Sequence, residues 1–446
     1  MRTIGTLLLL QLALPANLLL TGAALLRKAL TRPPTRPGAG GSPTAGAGVS
    51  GHAQAGRRTI LISGGKMTKA LTLARAFHRA GHRVILVESA KYRFTGHRFS
   101  NCVDRFHVVP EPRAEGYAAA LLRIVLDEQV DVYVPVCSPA ASYYDALAKP
   151  LLEPYCEVLH CDADTVRALD DKFEFTALAA AAGLPVPDSH RIGSPQQVAD
   201  FDFGAAAPPY ILKSIPYDPV HRLDLTPLPR PTAAATREFA RSKPITPDRP
   251  WIMQQFVTGR EFCVHTTVRA GSVRVYACCP SSAFQLNYEM ADEPTIEAWV
   301  RGFVEPLRLT GQISFDLIRT DDGAVFPIEC NPRTHSAITM FYDHPGLAAA
   351  YLGEAGPAIT PTAASRPTYW LYHELWLLLS APGTVRERFR TIAGGKEAIH
   401  DRDDPLPFLI AHHVHIPLLL LRNLLAGRPW LRIDFNIGKL VEPAGD

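Results

Sequence analysis

Three oxygen-bearing side chains in the second half of the chain could hold a divalent cation. In FPIECNPRTHS (residues 326–336), Glu329 and Asn331 stand two positions apart, and side chains with that spacing share one face of a strand. Asp316 precedes Glu329 by thirteen positions, within a segment that predicts a hairpin turning at Asp321-Asp322-Gly323. If the register brings the three side chains to one face, their oxygens suit Mg²⁺ bound to a nucleotide's phosphates. The alternatives are a polar strand end that faces water and a one-residue register shift, which would separate the two carboxylates.

The composition is that of a globular protein with two or three domains. The chain has 446 residues, of which 47% are hydrophobic and 20% are charged, and its formal net charge is +3. This near balance of charge gives no indication of a nucleic-acid partner. Eight scattered cysteines without a CxxC pair argue against a zinc site or a disulfide framework. They predict buried free thiols in a reducing compartment.

The N-terminal segment predicts a membrane anchor. Residues 3–26 (TIGTLLLLQLALPANLLLTGAALL) carry no charge and are long enough to cross a hydrocarbon core of roughly 30 Å. Most of the nearby positive charge follows this segment, at Arg27, Lys28, Arg32 and Arg36. The positive-inside rule therefore favours a cytoplasmic catalytic domain anchored by a helix over residues 1–28. A cleaved signal peptide and a helix lying on the membrane surface are the alternatives.

The remaining sequence divides into four regions. Residues 29–57 are rich in Pro, Gly, Ala and Ser and predict a flexible linker. Residues 58–163 open with a strand, a Gly64-Gly65 turn, a helix and a second strand, which predicts a Rossmann-like α/β domain with a parallel sheet. Residues 164–356 predict an α+β region that is mostly antiparallel, beginning with one helix that runs from about Asp164 to Gly183. Residues 357–446 predict a helical, partly apolar extension.

The extension contains a second apolar segment. PFLIAHHVHIPLLLLRNLL (residues 407–425) is interrupted by His412, His413, His415 and Pro417, which argues against a membrane span. A core helix and a helix in contact with the membrane surface are both open, and the N-terminal anchor favours the second. Three histidines on one helix do not all face one way, so we do not predict a metal site there.

Four segments of residues 164–351 resemble the ATP-grasp ligases in their order and spacing. They are DDKFEFTALAAAAGLPVP, YILKS, MQQFVTGREF and FDLIRTDDGAVFPIECNPR. The resemblance implies an ATP-grasp fold preceded by the Rossmann-like domain. Further segments resemble the mycosporine-glycine synthases, which are the ATP-grasp enzymes of mycosporine-like amino acid biosynthesis. These include SGGKMTKALTLARAFHRAGHRVILVES, VYVPVCSPAASYYD and RIDFNIGKLVE.

The resemblance also implies roles for individual residues around ATP and Mg²⁺. Those predicted to bind the nucleotide are Lys172 and Lys213 (phosphates), Gln254 with the backbone of Gln255 and Val257 (adenine), and Glu261 (ribose). Those predicted to bind Mg²⁺ are Asp316, Glu329 and Asn331, with Arg333 near the transferred phosphate. Many ATP-grasp proteins cover the phosphates with a glycine-rich loop, but SIPYDPVHRLDLTPLP (residues 214–229) contains no glycine. Arg222 or His221 is the candidate to replace it.

Substrate contacts are predicted from two polar segments, one at a strand end and one after Arg333. The candidates are Ser281, Ser282, Gln285, Asn287, Thr334 and Ser336, with His335 as a base for the amine. The resemblance implies an ATP-dependent ligase that phosphorylates an oxygen of 4-deoxygadusol, a cyclohexenone, and joins it to the amine of glycine. A carboxylate–amine ligase that forms an acyl phosphate is the first alternative. A membrane-anchored ATP-binding module without turnover is the second.

Overall fold

Five parallel strands form the first sheet, which confirms the predicted Rossmann-like domain. The computed structural model describes residues 2–31, 56–136, 138, 141–204, 208–215, 218, 220–221, 224–281, 287–354 and 356–430. The strand order is β3-β2-β1-β4-β5, so the direction of sheet growth reverses between β1 and β4. The elements are α1 (Arg2–Thr31), β1 (Thr59–Ile62), α2 (Thr68–Arg79), β2 (Arg83–Ser89), β3 (Arg105–Val109), α3 (Tyr117–Glu128), β4 (Val132–Val134), α4 (Ser142–Leu152) and β5 (Glu157–Val158).

Two antiparallel sheets follow, as the α+β prediction requires. One has the order β6-β8-β7 and the other has the order β10-β9-β12-β13. The elements are α5 (Ala163–Asp170), α6 (Lys172–Ala181), β6 (Ser189–Ile192), α7 (Pro195–Ala199), β7 (Tyr210–Ser214), α8 (Ala233–Arg241), β8 (Trp251–Gln255), β9 (Arg260–Arg269), β10 (Ser272–Pro280), β11 (Asn287–Tyr288), α9 (Pro294–Val304), β12 (Gly311–Arg319), β13 (Val325–Asn331) and α10 (Leu347–Tyr351).

The prediction of a single helix from Asp164 to Gly183 is wrong, because the helix is interrupted at Asp171. The backbone of Asp171 is extended, and its carboxylate accepts hydrogen bonds from the N–H groups of Phe173 (2.9 Å) and Glu174 (3.2 Å). An aspartate in that position is a strong N-terminal cap, which starts a second helix. The break therefore places Lys172 at the first position of α6 instead of inside a longer helix.

The C-terminal extension packs against both preceding domains. A fourth sheet, of order β11-β14-β15, joins it to the antiparallel region. One hydrophobic cluster contains Ile60 of the first domain, Cys263 of the second, and Trp370 and Phe408 of the extension. The elements are β14 (Thr368–Tyr369), α11 (Leu371–Ser380), α12 (Val385–Gly394), β15 (Lys396–Glu397), α13 (Leu406–Ile410), a π-helical segment (Ala411–His415) and α14 (Ile416–Leu425).

Two helices in the described part of the chain are long and apolar enough to cross a membrane. They cover Thr3–Leu30 and Leu406–Leu425, and the second is half buried against the rest of the protein. Seven cysteines are free and buried, as predicted, and Cys137 lies outside the described residues.

Gly64, at the carboxyl end of β1, allows the backbone just beyond β4 to approach closely at the point where the strand order reverses. Its φ is +66°, and a Cβ atom there would lie 1.8 Å from the carbonyl oxygen of Val136. We expect Gly64→Ala to lower the free energy of unfolding by at least about 2 kcal/mol, from steric overlap and left-handed strain together. Gly81→Ala is the matched control, because its φ is +88° but its Cβ would meet nothing within 4 Å. Equal unfolding midpoints in urea for the two variants would contradict this reason for a glycine.

Candidate functional site

The hairpin register brings the two predicted metal-binding carboxylates together. Asp316 in β12 and Glu329 in β13 are direct cross-strand partners, and Ser314 faces Asn331 in the same way. The register shifts between Asp316 and Leu317, where Leu317 pairs with Pro327. A bulge of this kind accommodates a proline that has no N–H for the strand ladder. The hairpin and its turn are therefore confirmed.

The same sheet has one polar face and one apolar face. Along β9, Glu261, Cys263 and His265 alternate with Phe262 and Val264, and Cys263 pairs with Asp316 while His265 pairs with Ser314. Cross-strand partners share a face, so Glu261 and His265 lie on the same side as the hairpin carboxylates. The opposite face, which includes Phe262, Val264, Phe315 and Leu317, is buried in a hydrophobic cluster with α6 and α9. This packing fixes the polar face in place.

The two carboxylates lie on either side of one amide. Asn331 Nδ2 is 3.4 Å from an oxygen of Asp316 and 3.3 Å from an oxygen of Glu329. Burial and the Glu329 carboxylate raise the pKa of Asp316 to about 8. Burial opposes ionisation of Glu329 too, but Lys172 and Arg333 outweigh it and lower the pKa of Glu329 to about 2. The nearby positive charges keep Glu329 ionised but do not offset the charge of a second carboxylate at Asp316. A bound divalent cation would offset both, so Asp316, Glu329 and Asn331 fit such a cation with oxygen ligands.

The two lysines predicted to bind phosphate both face this group. Lys172 Nζ lies 3.3 Å from a Glu329 oxygen, and its side chain is 17% exposed. Lys213, in β7 of the other antiparallel sheet, donates to Gln254 Oε1 at 3.1 Å. Burial lowers the pKa of the Lys213 ammonium to about 8, and the charge of Glu329 opposes that shift. Two ammonium groups, one at the start of α6 and one on β7, therefore lie close to the Glu329 carboxylate.

The residues predicted to bind adenine and ribose lie next to Lys213, on or just after β8 and at the start of β9, and we call the region between Lys213 and the polar face the groove. Gln254 is buried, and its amide nitrogen donates to Ser189 Oγ at 3.2 Å. Gln255 is already paired with Asp188 through its backbone N–H (2.8 Å) and its side chain (3.1 Å). Val257 follows the end of β8 and is half-buried, and Glu261 is exposed on the polar face.

His335 and Arg333 lie at the other end of the polar face. Arg333 Nη1 is 3.9 Å from an Asp170 oxygen. The ring of His335 packs against Tyr288, with 5.3 Å between the ring centroids, and its Nδ1 accepts the N–H of Ala337 at 3.3 Å. Burial, with Lys69 and Arg333 nearby, lowers the pKa of His335 to about 3. An imidazole with that pKa is a weak base for an ammonium, so this environment disfavours the predicted proton abstraction.

Two buried polar residues beside His335 were not predicted from the sequence. His265 accepts the backbone N–H of His335 on Nδ1 at 3.3 Å, and its Nε2 has no hydrogen-bond partner within the described part of the chain. Lys69 is 5% exposed and donates to the carbonyl oxygen of Thr334. The alternation of Glu261, Cys263 and His265 along a strand could have indicated His265. No local pattern indicates Lys69, because its contact depends on the packing of two domains.

The predicted substrate residues divide between the two ends of the groove. Ser281 donates its N–H to the Glu261 carbonyl at 2.8 Å and therefore lies at the end where the nucleotide is predicted to bind. Thr334 is buried and bonded to Gln312, while Ser336 is half-buried beside His335. Asn287 precedes Tyr288, which contacts His335. Ser282 and Gln285 lie outside the described residues.

Two basic side chains outside this group have partners elsewhere. Lys66 lies 3.5 Å from Glu88 and 4.0 Å from the ring centre of Tyr92, so its side chain stabilises the first domain. His221 is bonded to Asp218 at 2.8 Å and packs against Trp251. Arg222 lies outside the described residues.

Comparisons with known proteins identify the fold. No protein-family profile and no curated protein matches the sequence. Similar crystal structures include an N5-carboxyaminoimidazole ribonucleotide synthetase in complex with ADP, with a TM-score of 0.55 and 16% identity over 75% of this chain and 86% of that one. The corresponding Staphylococcus aureus synthetase with ADP has a TM-score of 0.52 and 13% identity, over 70% and 80%. The biotin carboxylase domain of a single-chain bacterial carboxylase has a TM-score of 0.51 and 15% identity, over 69% and 72%. The chain therefore has the ATP-grasp fold.

Proposed function

We propose that the protein is an ATP-dependent ligase that forms a C–N bond. The observation that carries this proposal is the pairing of Asp316 with Glu329 across the hairpin, opposite Lys172 and Lys213. Two carboxylates and an amide on one sheet face fit Mg²⁺, and two lysines above them fit the phosphates of ATP. A protein that only binds ATP has less need of this arrangement.

The chain's own residues would position the reactants and balance their charges. Bound Mg²⁺ would neutralise charge on the phosphates of ATP during transfer. Lys172 and Lys213 would orient the phosphates from two sides, and Arg333 would pair with the group in transfer. The phosphoryl group passes to an oxygen of the first substrate, and ADP leaves. An amine then adds to the carbon that bears this oxygen, the C–O bond breaks, and inorganic phosphate departs while the nitrogen loses a proton.

The substrates we propose are 4-deoxygadusol and glycine, giving mycosporine-glycine. This proposal is supported by the sequence segments that resemble the mycosporine-glycine synthases and by the polar end of the groove at His335. His265 Nε2 is a buried hydrogen-bonding group without a partner in the described chain, which suits contact with an oxygen of the cyclohexenone. Because the pKa of His335 is about 3, we propose that His335 hydrogen-bonds to a substrate instead of accepting the amine's proton.

The second candidate is a carboxylate–amine ligase that works through an acyl phosphate. It is favoured by the ATP-grasp fold, which this chain shares with a synthetase that makes N5-carboxyaminoimidazole ribonucleotide. Both candidates use the same groove, and they differ in which oxygen receives the phosphoryl group.

Phosphate release with isotopically labelled substrates separates these candidates. The full chain is mixed with ATP, Mg²⁺, glycine and 4-deoxygadusol labelled with ¹⁸O at its enolic oxygen. We expect phosphate release that requires both substrates, and ¹⁸O in the released phosphate, because the labelled oxygen departs with the phosphoryl group. Label that enters phosphate only from ¹⁸O-glycine would indicate an acyl phosphate. ATP binding without substrate-dependent release would contradict the 4-deoxygadusol assignment and favour a module without turnover.

We also propose that α1 attaches this ligase to a membrane with its body in the cytoplasm. The support is a charge-free apolar helix followed by Arg27 and Lys28. Leu10 is buried against Ile416 and Leu420 of α14, and this packing supports a retained helix over a cleaved signal peptide.

A further inference from the structure

The polarity of α1 is reversed relative to that of a helix on a water-soluble protein. Three of its polar residues, Thr6, Asn17 and Thr21, face the protein and are 8%, 6% and 7% exposed, whereas Gln11 is exposed. On the opposite side, one stripe of leucines points away from the protein: Leu8, Leu12, Leu19, Leu26 and Leu30, which are 61% to 77% exposed. A helix that lies on a soluble protein buries its apolar stripe and exposes its polar one. The outer face of α1 is therefore suited to an apolar environment.

The helix over residues 406–425 repeats this reversal in part, since it also buries Ile416, Leu419 and Leu420 and exposes Arg422. His412, His415 and Asn423 are 2%, 2% and 7% exposed, whereas Leu421 and Leu425 are 44% and 80% exposed. Its histidines contact different neighbours, since His412 packs on Tyr372, His413 on Asn17 and His415 on Tyr92. They form the inner, protein-facing side of the helix.

The two helices run antiparallel along their whole length. Arg27 Nη2 lies 2.7 Å from Asp403, just before the second helix begins. In the middle, Asn17 Nδ2 lies 2.6 Å from His413 Nε2. Beyond the far end, Trp430 Nε1 donates to Thr3 Oγ1 at 3.1 Å. We name α1 and residues 406–425 together the helix pair.

The helix pair lies flat against the first domain. Asp404, before α13, forms a buried ion pair with Arg75 at 2.9 Å. Gly96 approaches so closely that a Cβ there would meet the Pro407 oxygen at 2.3 Å, and Tyr92 packs against His415. These contacts reach the middle of the pair. A perpendicular crossing of the bilayer would carry exposed Arg93 and Arg98, in the same segment of the first domain, toward the hydrocarbon core at a high cost.

We propose that the helix pair binds the membrane in the plane of one leaflet and does not cross it. The outer leucines enter the hydrocarbon of one leaflet. The N-terminus stays on the same side of the membrane as the catalytic domain. The partner is a lipid bilayer, because the exposed stripe belongs to a segment of 24 residues without charge, about 36 Å long, that basic Arg27 and Lys28 follow. This inference rests on the proposed membrane attachment and is independent of the ligase substrates.

Vesicle flotation tests the surface. The full chain is mixed with vesicles of phosphatidylcholine and phosphatidylglycerol, and we expect it to float with them. Leu12→Glu combined with Leu19→Glu should reduce the floating fraction at least tenfold, because both side chains lie on the outer stripe. Leu126→Glu combined with Leu147→Glu is the matched control, since these exposed leucines lie on the first domain and should leave flotation unchanged. Far-UV circular dichroism during heating checks that each variant folds.

Glycosylation tagging separates an in-plane helix from a spanning one. The full chain carries an acceptor site ahead of Arg2 and is translated into microsomes, and we expect membrane binding without glycosylation. A glycosylated N-terminus would show that α1 crosses the bilayer, which overturns the in-plane arrangement and leaves membrane attachment standing. Wild type that fails to float would overturn both. A dimer in light scattering would then assign the leucine stripe to a second copy of this chain. None of these outcomes alters phosphate release, which tests the ligase separately.

Discussion

Glu329→Gln is expected to reduce kcat/KM for substrate-dependent phosphate release by about 10²- to 10³-fold, the range seen when one preorganised charge-stabilising group is removed. The glutamine keeps the size of the side chain but loses the charge that faces Lys172 at 3.3 Å and that completes the carboxylate pair with Asp316. A bound Mg²⁺ would then have one anionic ligand instead of two. The measurement is steady-state phosphate release over a range of ATP and Mg²⁺ concentrations.

Glu174→Gln is the matched control for this variant. Glu174 lies on α6 two positions after Lys172, and its carboxylate is 52% exposed and pairs with Arg191 at 3.3 Å. Glu174→Gln therefore makes the same chemical change on the helix that carries Lys172, but away from the carboxylate pair. We expect its kcat/KM to be within about twofold of wild type. Similar activity of Glu329→Gln and wild type would remove the proposed cation site.

The hairpin could be predicted from sequence because its signals are local. Asp321-Asp322-Gly323 specifies the turn, and the two flanking strands are apolar and β-rich. The register could not be predicted, because it depends on a bulge beside Pro327. Strand alternation alone leaves two registers open, and each places Asp316 differently relative to Glu329.

The break at Asp171 shows a different limit. Residues 164–183 contain alanine, leucine and phenylalanine at helical spacing, which favours one continuous helix. Asp171 can be a helix interior residue or a cap, and local sequence does not distinguish them. The structure uses it as a cap, and this places Lys172 where its ammonium reaches Glu329.

The helix pair was beyond local sequence reasoning altogether. Each helix could be recognised as apolar, but the contact between Arg27 and Asp403 joins residues 376 positions apart. The reversed polarity of α1 becomes visible only when its neighbours are known, because Thr6, Asn17 and Thr21 are too few to define a polar face in the sequence. Sequence therefore predicted that the N-terminus meets a membrane, but the packing was needed to predict how.

Asp404 connects this helix pair to the first domain through a buried network. Its side chain is 5% exposed, and that of Arg75 is 8% exposed. Asp404 accepts hydrogen bonds from Arg75 Nε (3.0 Å), Ser100 Oγ (2.7 Å) and the backbone N–H of Asn101 (2.9 Å). Removing the carboxylate would leave the Arg75 guanidinium buried without this counter-charge.

Asp404→Ala is therefore expected to lower the free energy of unfolding by about 3 to 5 kcal/mol, the usual cost of breaking a buried ion pair from one side. Urea titration followed by tryptophan fluorescence measures the loss. The neighbouring Asp403→Ala is the control, because Asp403 and Arg27 have side chains that are 80% and 53% exposed. A surface pair of that kind contributes less than about 1 kcal/mol. Equal losses for the two variants would mean that the Arg75 network does not hold the extension to the first domain.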